Sequence, residues 1–231
     1  MKTVVTGANR GIGLELVRQL ARRGDEVEAC ARNPGEAQAL KALAGEKVRL
    51  HRLDVADDKS VSALAHALAG APIDIVFNVA GVYGGPGQSI RQMAEDLLLA
   101  DVAHTYQVNA IGALRVAVAL LPNVRQGAVK KLVHVTSGMG SIDDNTSGGY
   151  YAYRMSKAAL NMMSRSLAVD LKREGIASYV INPGWVQTDM GGRNAPTRVE
   201  DSVEAILREV DRATLADSGE FLDYKGGRLT W

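Results

Sequence analysis

A single cysteine, Cys30, stands in 231 residues, so no disulfide can close within the chain. It lies in the apolar run VEACA, where a structural thiol is expected rather than a reactive one. Aromatic residues are equally scarce. They make up 5% of a sequence that is 46% hydrophobic, so the core must be assembled from Val, Leu, Ile and Ala, a composition that suits a buried sheet covered by helices. Charge of one sign is also missing: 27 basic residues face 26 acidic ones, and no basic tract reaches five residues. Nucleic acid and anionic membranes are thereby excluded as general partners. No apolar run approaches the roughly 20 residues of a membrane span, so none is expected. Residues 2–6, KTVVT, already read as a strand, so no leader peptide is expected and a cytoplasmic protein is expected. No metal site is expected.

What is present is an alternation. Strand-like runs at KTVVT, DEVEACA, EKVRLHRL and IDIVFNVA are separated by helical patterns over 11–23, about 36–44 and about 58–69. A helical stretch from about 91 to 121 follows, then the strand KKLVHVT, a helix over about 150–173, the strand IASYVI and a last helix over about 200–212. In the first helix Ile12, Leu16, Val17 and Leu20 share one face, and Gly24 sits where a helix stop belongs. Nothing in the composition shifts abruptly along residues 1–231. The pattern predicts one α/β domain, a Rossmann-like doubly wound parallel sheet of six or seven strands with helices on both faces, whose ligands bind at the carboxyl ends of the strands.

The chemistry-bearing motifs fall at those ends. TGANRGIG places Gly7, Gly11 and Gly13 between the first strand and the first helix, where glycine lets the main chain approach a pyrophosphate that free N–H groups then attract. At the end of the second strand Ala31 stands near the position of the ribose-binding acid of NAD sites, and Arg32 follows it. With Arg10 in the glycine turn, two guanidinium groups could reach one 2′-phosphate, so NADP(H) is favoured over NAD(H). Asp54, ending the third strand, could accept from an adenine amino group or cap the next helix, for which Asp57 and Asp58 are better placed. Asn78 can tie neighbouring strands, while Ala80 and Gly81 leave room for a ribose. Ser137 ends the fifth strand and could hold a substrate oxygen; His134, three residues earlier, reads as structural. No nucleophile elbow or matching His supports hydrolysis at Ser137. Pro183 and Gly184 shape a turn that could line a nicotinamide, with Thr188 close behind. In YYAYRMSK, Tyr153 is the one tyrosine a helical turn before Lys157.

In order and spacing, TGANRGIG, LDV, NVAG, VNAIG, VTS, YRMSK and NPGWVQT resemble the short-chain dehydrogenase/reductase family over about residues 1–190. Val79 departs from the second asparagine usual in the fourth-strand motif. The passages HVTSGMGS, GYYAYRMSKAALNMM and SGEFLDYKGGRLTW resemble more narrowly the C-factor group and small carbonyl reductases. The resemblance implies an NADP(H)-dependent oxidoreductase interconverting a carbonyl and a secondary alcohol. Tyr153 would be its general acid/base, Lys157 the cation that lowers the phenol pKa and binds the nicotinamide ribose, Ser137 the substrate-orienting hydroxyl, and Asn109 part of a proton-returning water chain. It adds Asn9, Ile12, Val55 and Val186 to the cofactor contacts. Steroid, lipid, quinone and small-aldehyde substrates all stay open. Specificity is expected in the loop after Gly81 and over 138–151 and 189–201. Pairing into a homodimer or homotetramer through the long helices is implied, and the C-factor likeness carries an alternative reading as a developmental cell-to-cell signalling protein in which dinucleotide binding is regulatory or structural.

Overall fold

The structure, a computed structural model, is described for residues 1–84 and 93–231. Its β-branched segments form seven parallel strands in one sheet: β1 (Lys2–Thr6), β2 (Glu26–Ala31), β3 (Val48–Arg52), β4 (Ile75–Asn78), β5 (Lys131–Val135), β6 (Ala177–Asn182) and β7 (Phe221–Asp223), ordered β3-β2-β1-β4-β5-β6-β7. The order reverses direction between β1 and β4, which opens a crevice beyond their carboxyl ends. This is the expected Rossmann-like fold, at the upper of the two strand counts.

Helices cover both faces because their apolar stripes match the two faces of the sheet. Leu16, Val17 and Leu20 of α1 (Gly11–Arg22) and Val203, Ile206 and Val210 of α7 (Val199–Arg212) are all fully buried in one layer. The opposite layer joins α3 (Asp58–Ala67), α5 (Gly112–Gln126) and α6 (Tyr151–Leu171) through Val61, Leu64, Val116, Leu120, Leu167 and Leu171. Cys30 is fully buried in that layer, and burial pushes its thiol far above the ordinary range, as a packing residue requires.

Three elements differ from expectation. The helix expected over about 36–44 is only the single turn α2 (Gln38–Lys41), because its flanks carry no apolar face long enough to bury. Of the expected 91–121 helix, 91–92 lie outside the described residues and 93–98 form no α-helix, only a single 3-10 turn at Ala94–Asp96. From residue 99 it runs as α4 (Leu99–Tyr106), a π-helical turn over Gln107–Ile111, then α5, which passes Pro122 to reach Gln126. Pro122 is tolerated since the carbonyl it leaves unbonded belongs to Val118, itself on the exposed face. Leu99–Gln126 has the length and apolar composition of a membrane-crossing helix, which the run-length reading did not anticipate; half of its most apolar window is buried inside the fold. β7 was not legible as a separate strand, being three residues long.

Candidate active site

A cleft of about 1100 Å³ opens at the carboxyl ends of β1, β4, β5 and β6. Its floor is the glycine turn. A Cβ on Gly7 would lie 2.8 Å from Ala80 Cα, and one on Gly13 would lie 2.8 Å from the Gly7 carbonyl carbon, so no side chain fits at either position. Thr6 fixes the opposite wall: its hydroxyl accepts from Val79 N at 2.9 Å and Ala80 N at 3.1 Å. The start of α1 has no side-chain cap and no acidic residue in its first turn, and its first residues Gly11, Ile12 and Gly13 line the cleft. That is the electrostatic setting a pyrophosphate needs.

Gly7, Asn9, Arg10, Gly11, Ile12, Gly13, Arg32, Asp54, Val55, Ala80, Gly81, Ser137, Tyr153, Lys157, Pro183, Gly184, Val186 and Thr188 all line the cleft. Asn78 and Asn109 stand behind its wall. Asn78 donates to Ala113 O and contacts His134 Nδ1 at 3.1 Å, tying β4 to β5 and α5. His134 is fully buried, and desolvation drops its pKa to about 3, so it stays neutral. Asn109 sits in the π-helical turn, a distortion that recurs at functional sites. Its side chain accepts from Val82 N and donates to Val82 O, both at 2.8 Å, and donates to Ser156 Oγ at 2.9 Å. Both amide hydrogens and the oxygen are thus engaged within the protein.

Asp57, not Asp54, caps α3. Asp54 instead bonds Ala56 N and shares a second, smaller cavity with Asn9, Arg32, Asn33 and Arg52. Arg52 reaches it because the β2–β3 register places it opposite Ala31, beside Arg32. Arg10, which the sequence reading paired with Arg32, is instead ion-paired with Asp189 at 3.1 Å across the main cleft, since both residues are exposed at its rim. Arg10 and Arg32 both line the main cleft, while Arg32 and Arg52 line the smaller cavity.

At the other end of the cleft α6 presents Tyr153 and Lys157 on one face. Both are buried, and the Lys157 Nζ lies 5.7 Å from the Tyr153 ring centre while donating to Val135 O at 2.9 Å. Burial raises the Tyr153 phenol well above its ordinary value, the stacked Tyr83 ring adds to this, and the neighbouring Ser137 hydroxyl opposes it. Lys157 is lowered to about 8 by burial, which leaves it mostly charged at neutral pH. Burial is the largest influence on the phenol. Tyr83, unmarked by any motif, lies parallel to Tyr153 with ring centres 4.2 Å apart and donates to Met139 Sδ. Asn182 is a second silent organiser: its side-chain oxygen accepts from Gly138 N and Gly184 N, joining the Ser137 loop to the Pro183 turn. Part of the expected specificity loop after Gly81 lies in 85–92, outside the described residues.

A dinucleotide-type crevice at a sheet reversal, with a Ser, Tyr and Lys grouped at its inner end, defines a nicotinamide-dependent oxidoreductase. The chain belongs to the short-chain dehydrogenase/reductase family, whose short chain dehydrogenase model matches residues 2–198, and acts with NAD(P) on CH–OH or C=O groups. It is 47% identical over 169 residues to the C-signal protein of Myxococcus xanthus, covering 73% of this chain and 99% of that one. Among solved structures it superposes on the carbonyl reductase Sniffer of D. melanogaster with a TM-score of 0.93 and 29% identity, covering 100% and 99% of the two chains. An NADPH-bound carbonyl reductase from chicken fatty liver gives 0.91 and 32%, covering 100% and 98%.

Proposed function

We propose that this chain reduces a carbonyl to a secondary alcohol with NADPH, Tyr153 acting as the proton donor. The bound nicotinamide would supply the hydride. The reading is carried by the grouping of Tyr153, Lys157 and Ser137 at the inner end of a dinucleotide-type cleft, where a phenol held protonated by burial is in the state a general acid needs. As the proton leaves, charge grows on the phenolic oxygen, and the buried Lys157 ammonium, 5.7 Å from the ring centre, would stabilise it. Ser137 would orient the carbonyl oxygen. Asn109 would position rather than react, holding Val82 and Ser156 beside Tyr153, whose own carbonyl accepts from Ser156 Oγ at 2.8 Å.

The preference for NADPH rests on Arg32 and Arg52 in the smaller cavity. Two guanidinium groups there could bind a 2′-phosphate beside the carboxylates Glu36 and Asp54 of the same cavity, and Ala31 stands where NAD sites carry their ribose-binding acid. A signalling role in which the dinucleotide site is only regulatory or structural is supported less well, because the carbonyl reductases on which the chain superposes are enzymes. Loss of NADPH and NADH absorbance at 340 nm over a carbonyl panel tests the reading. Tyr153→Phe should lower kcat/KM by about 10²- to 10⁴-fold. Replacing Arg32 and Arg52 together by Ala should raise the Kd for NADPH about tenfold or more and erase its advantage over NADH. Undiminished turnover in Tyr153→Phe would overturn the assignment.

A further inference from the structure

We propose that the carbonyl substrate of this site carries a carboxylate, and that Arg154 is the residue that holds it. The inference rests on the oxidoreductase reading and adds a substrate class to it. Arg154 follows Tyr153 on α6 and lines the same cleft, on the side of Tyr83, Met139 and Tyr150. Its five N–H donors are poorly used. One terminal nitrogen donates to Ser147 Oγ at 2.9 Å, the other reaches Met139 O only at 3.4 Å, and Nε is buried with no partner. No carboxylate among the described residues comes within the 4.0 Å of an ion pair, and residues 85–92 contain no acid. A half-buried guanidinium without a counter-ion, walled by two tyrosines and a methionine, is an unfavourable arrangement that an anion would relieve.

The position on the helix gives the same answer independently. Cations are disfavoured in the first turn, where the helix dipole is positive, yet Arg154 sits there, and α6 has neither a side-chain cap nor an acidic residue in that turn. Guanidinium and helix end therefore add to one positive field at the mouth. Asp144, also at the rim, is exposed, so solvent screens it more than it screens the partly enclosed arginine. If Arg154 served only to staple residues 139 and 147 together, a neutral donor would suffice and the unmet charge would have no purpose. Next to the proton donor, a bidentate clamp on a carboxylate would also orient the carbonyl.

The test compares each acid with its own methyl ester: 4-carboxybenzaldehyde and 5-oxohexanoate, assayed with NADPH. In the native chain the acid should exceed the ester in kcat/KM by tenfold or more. In Arg154→Gln the ratio should fall to about one, and Arg154→Lys, which keeps the charge but loses the fork, should recover part of it. A loop staple would not distinguish acid from ester. Calorimetric titration of the NADP+-loaded protein with the same pairs measures binding where no hydride can move. Tighter binding of the acid, lost in Arg154→Gln, supports the assignment even if no panel member turns over, an outcome that would count against the oxidoreductase reading alone. Equal binding of acid and ester by the native chain, or a preference that survives Arg154→Gln, overturns it.

Discussion

At the glycine turn of the cleft main chain touches main chain, whereas around Gly148, at the mouth of the substrate end, side chains hold the loop across open space. Gly7 and Gly13 are glycines because their neighbours leave no volume for a Cβ. Gly148 has no heavy atom within 4 Å of where its Cβ would stand; it opens a run of three left-handed residues, Gly148, Gly149 and Tyr150, with φ of 61°, 64° and 56°. One end is fixed by steric exclusion, the other by conformation plus a few bonds from Arg154, Asn182 and Tyr83. Close packing tolerates almost no variation. Loops held by single side-chain bonds can be re-cut without disturbing the sheet, which is why substrate choice belongs there.

The sharpest way to break this contrast is Gly13→Ala. The added methyl must displace the Gly7 carbonyl, which sits in the turn that faces Ala80, so backbone rather than a side chain has to move. We expect a loss of about 3 kcal/mol, the upper range for overpacking a filled site, or a fall in Tm of about 6–12 °C, together with loss of dinucleotide binding. A loss below about 1 kcal/mol in thermal or urea unfolding would show that the turn is softer than its contacts imply.

Lys157 stands where the two ends meet, and its titration sharpens the comparison at a smaller scale. Burial holds its pKa at about 8 against an ordinary 10.5. Below pH 8 both folded and unfolded chains carry the proton and the full penalty of the buried charge is present. Between 8 and 10.5 the folded chain has released the proton and the unfolded chain has not, so stability rises with pH across that window. Relative to Lys157→Met, the native chain without cofactor should gain about 1 kcal/mol between pH 7 and pH 9 in urea denaturation. A difference independent of pH would mean that the ammonium is better solvated than its position suggests.

The dinucleotide end was the legible one in the sequence, for a physical reason. A glycine turn between a β-branched run and an amphipathic helix is specified by adjacent residues, as is a Tyr–Lys pair one helical turn apart. What escaped depends on residues distant in the chain. The Arg10–Asp189 pair spans 179 positions. Tyr83 meets Tyr153 only after the β4 loop and α6 converge, and Asn182 links two loops that no local pattern joins. Arg52 was recoverable in principle: in-register pairing of β2 with β3 sets it opposite Ala31, so a strand alignment points to it beside Arg32. The burial that raises the Tyr153 phenol was not legible either, because spacing reports proximity and says nothing of desolvation.

The mildest expected effect, and the one that separates the two kinds of glycine most cleanly, is that of Gly148→Ala. There is room for the methyl, so the cost is only that of an L-residue in the left-handed region, about 1 kcal/mol, partly offset by the lower entropy of the unfolded alanine chain. Tm should fall by no more than about 4 °C and dinucleotide affinity should hold. KM should respond more than stability does, since Gly148 adjoins Ser147, the best hydrogen-bond partner of Arg154. Were thermal unfolding to show Gly148→Ala as damaging as Gly13→Ala, open space at the substrate end would be a poor guide to tolerance, and the division of the cleft into a rigid and an adaptable half would fail.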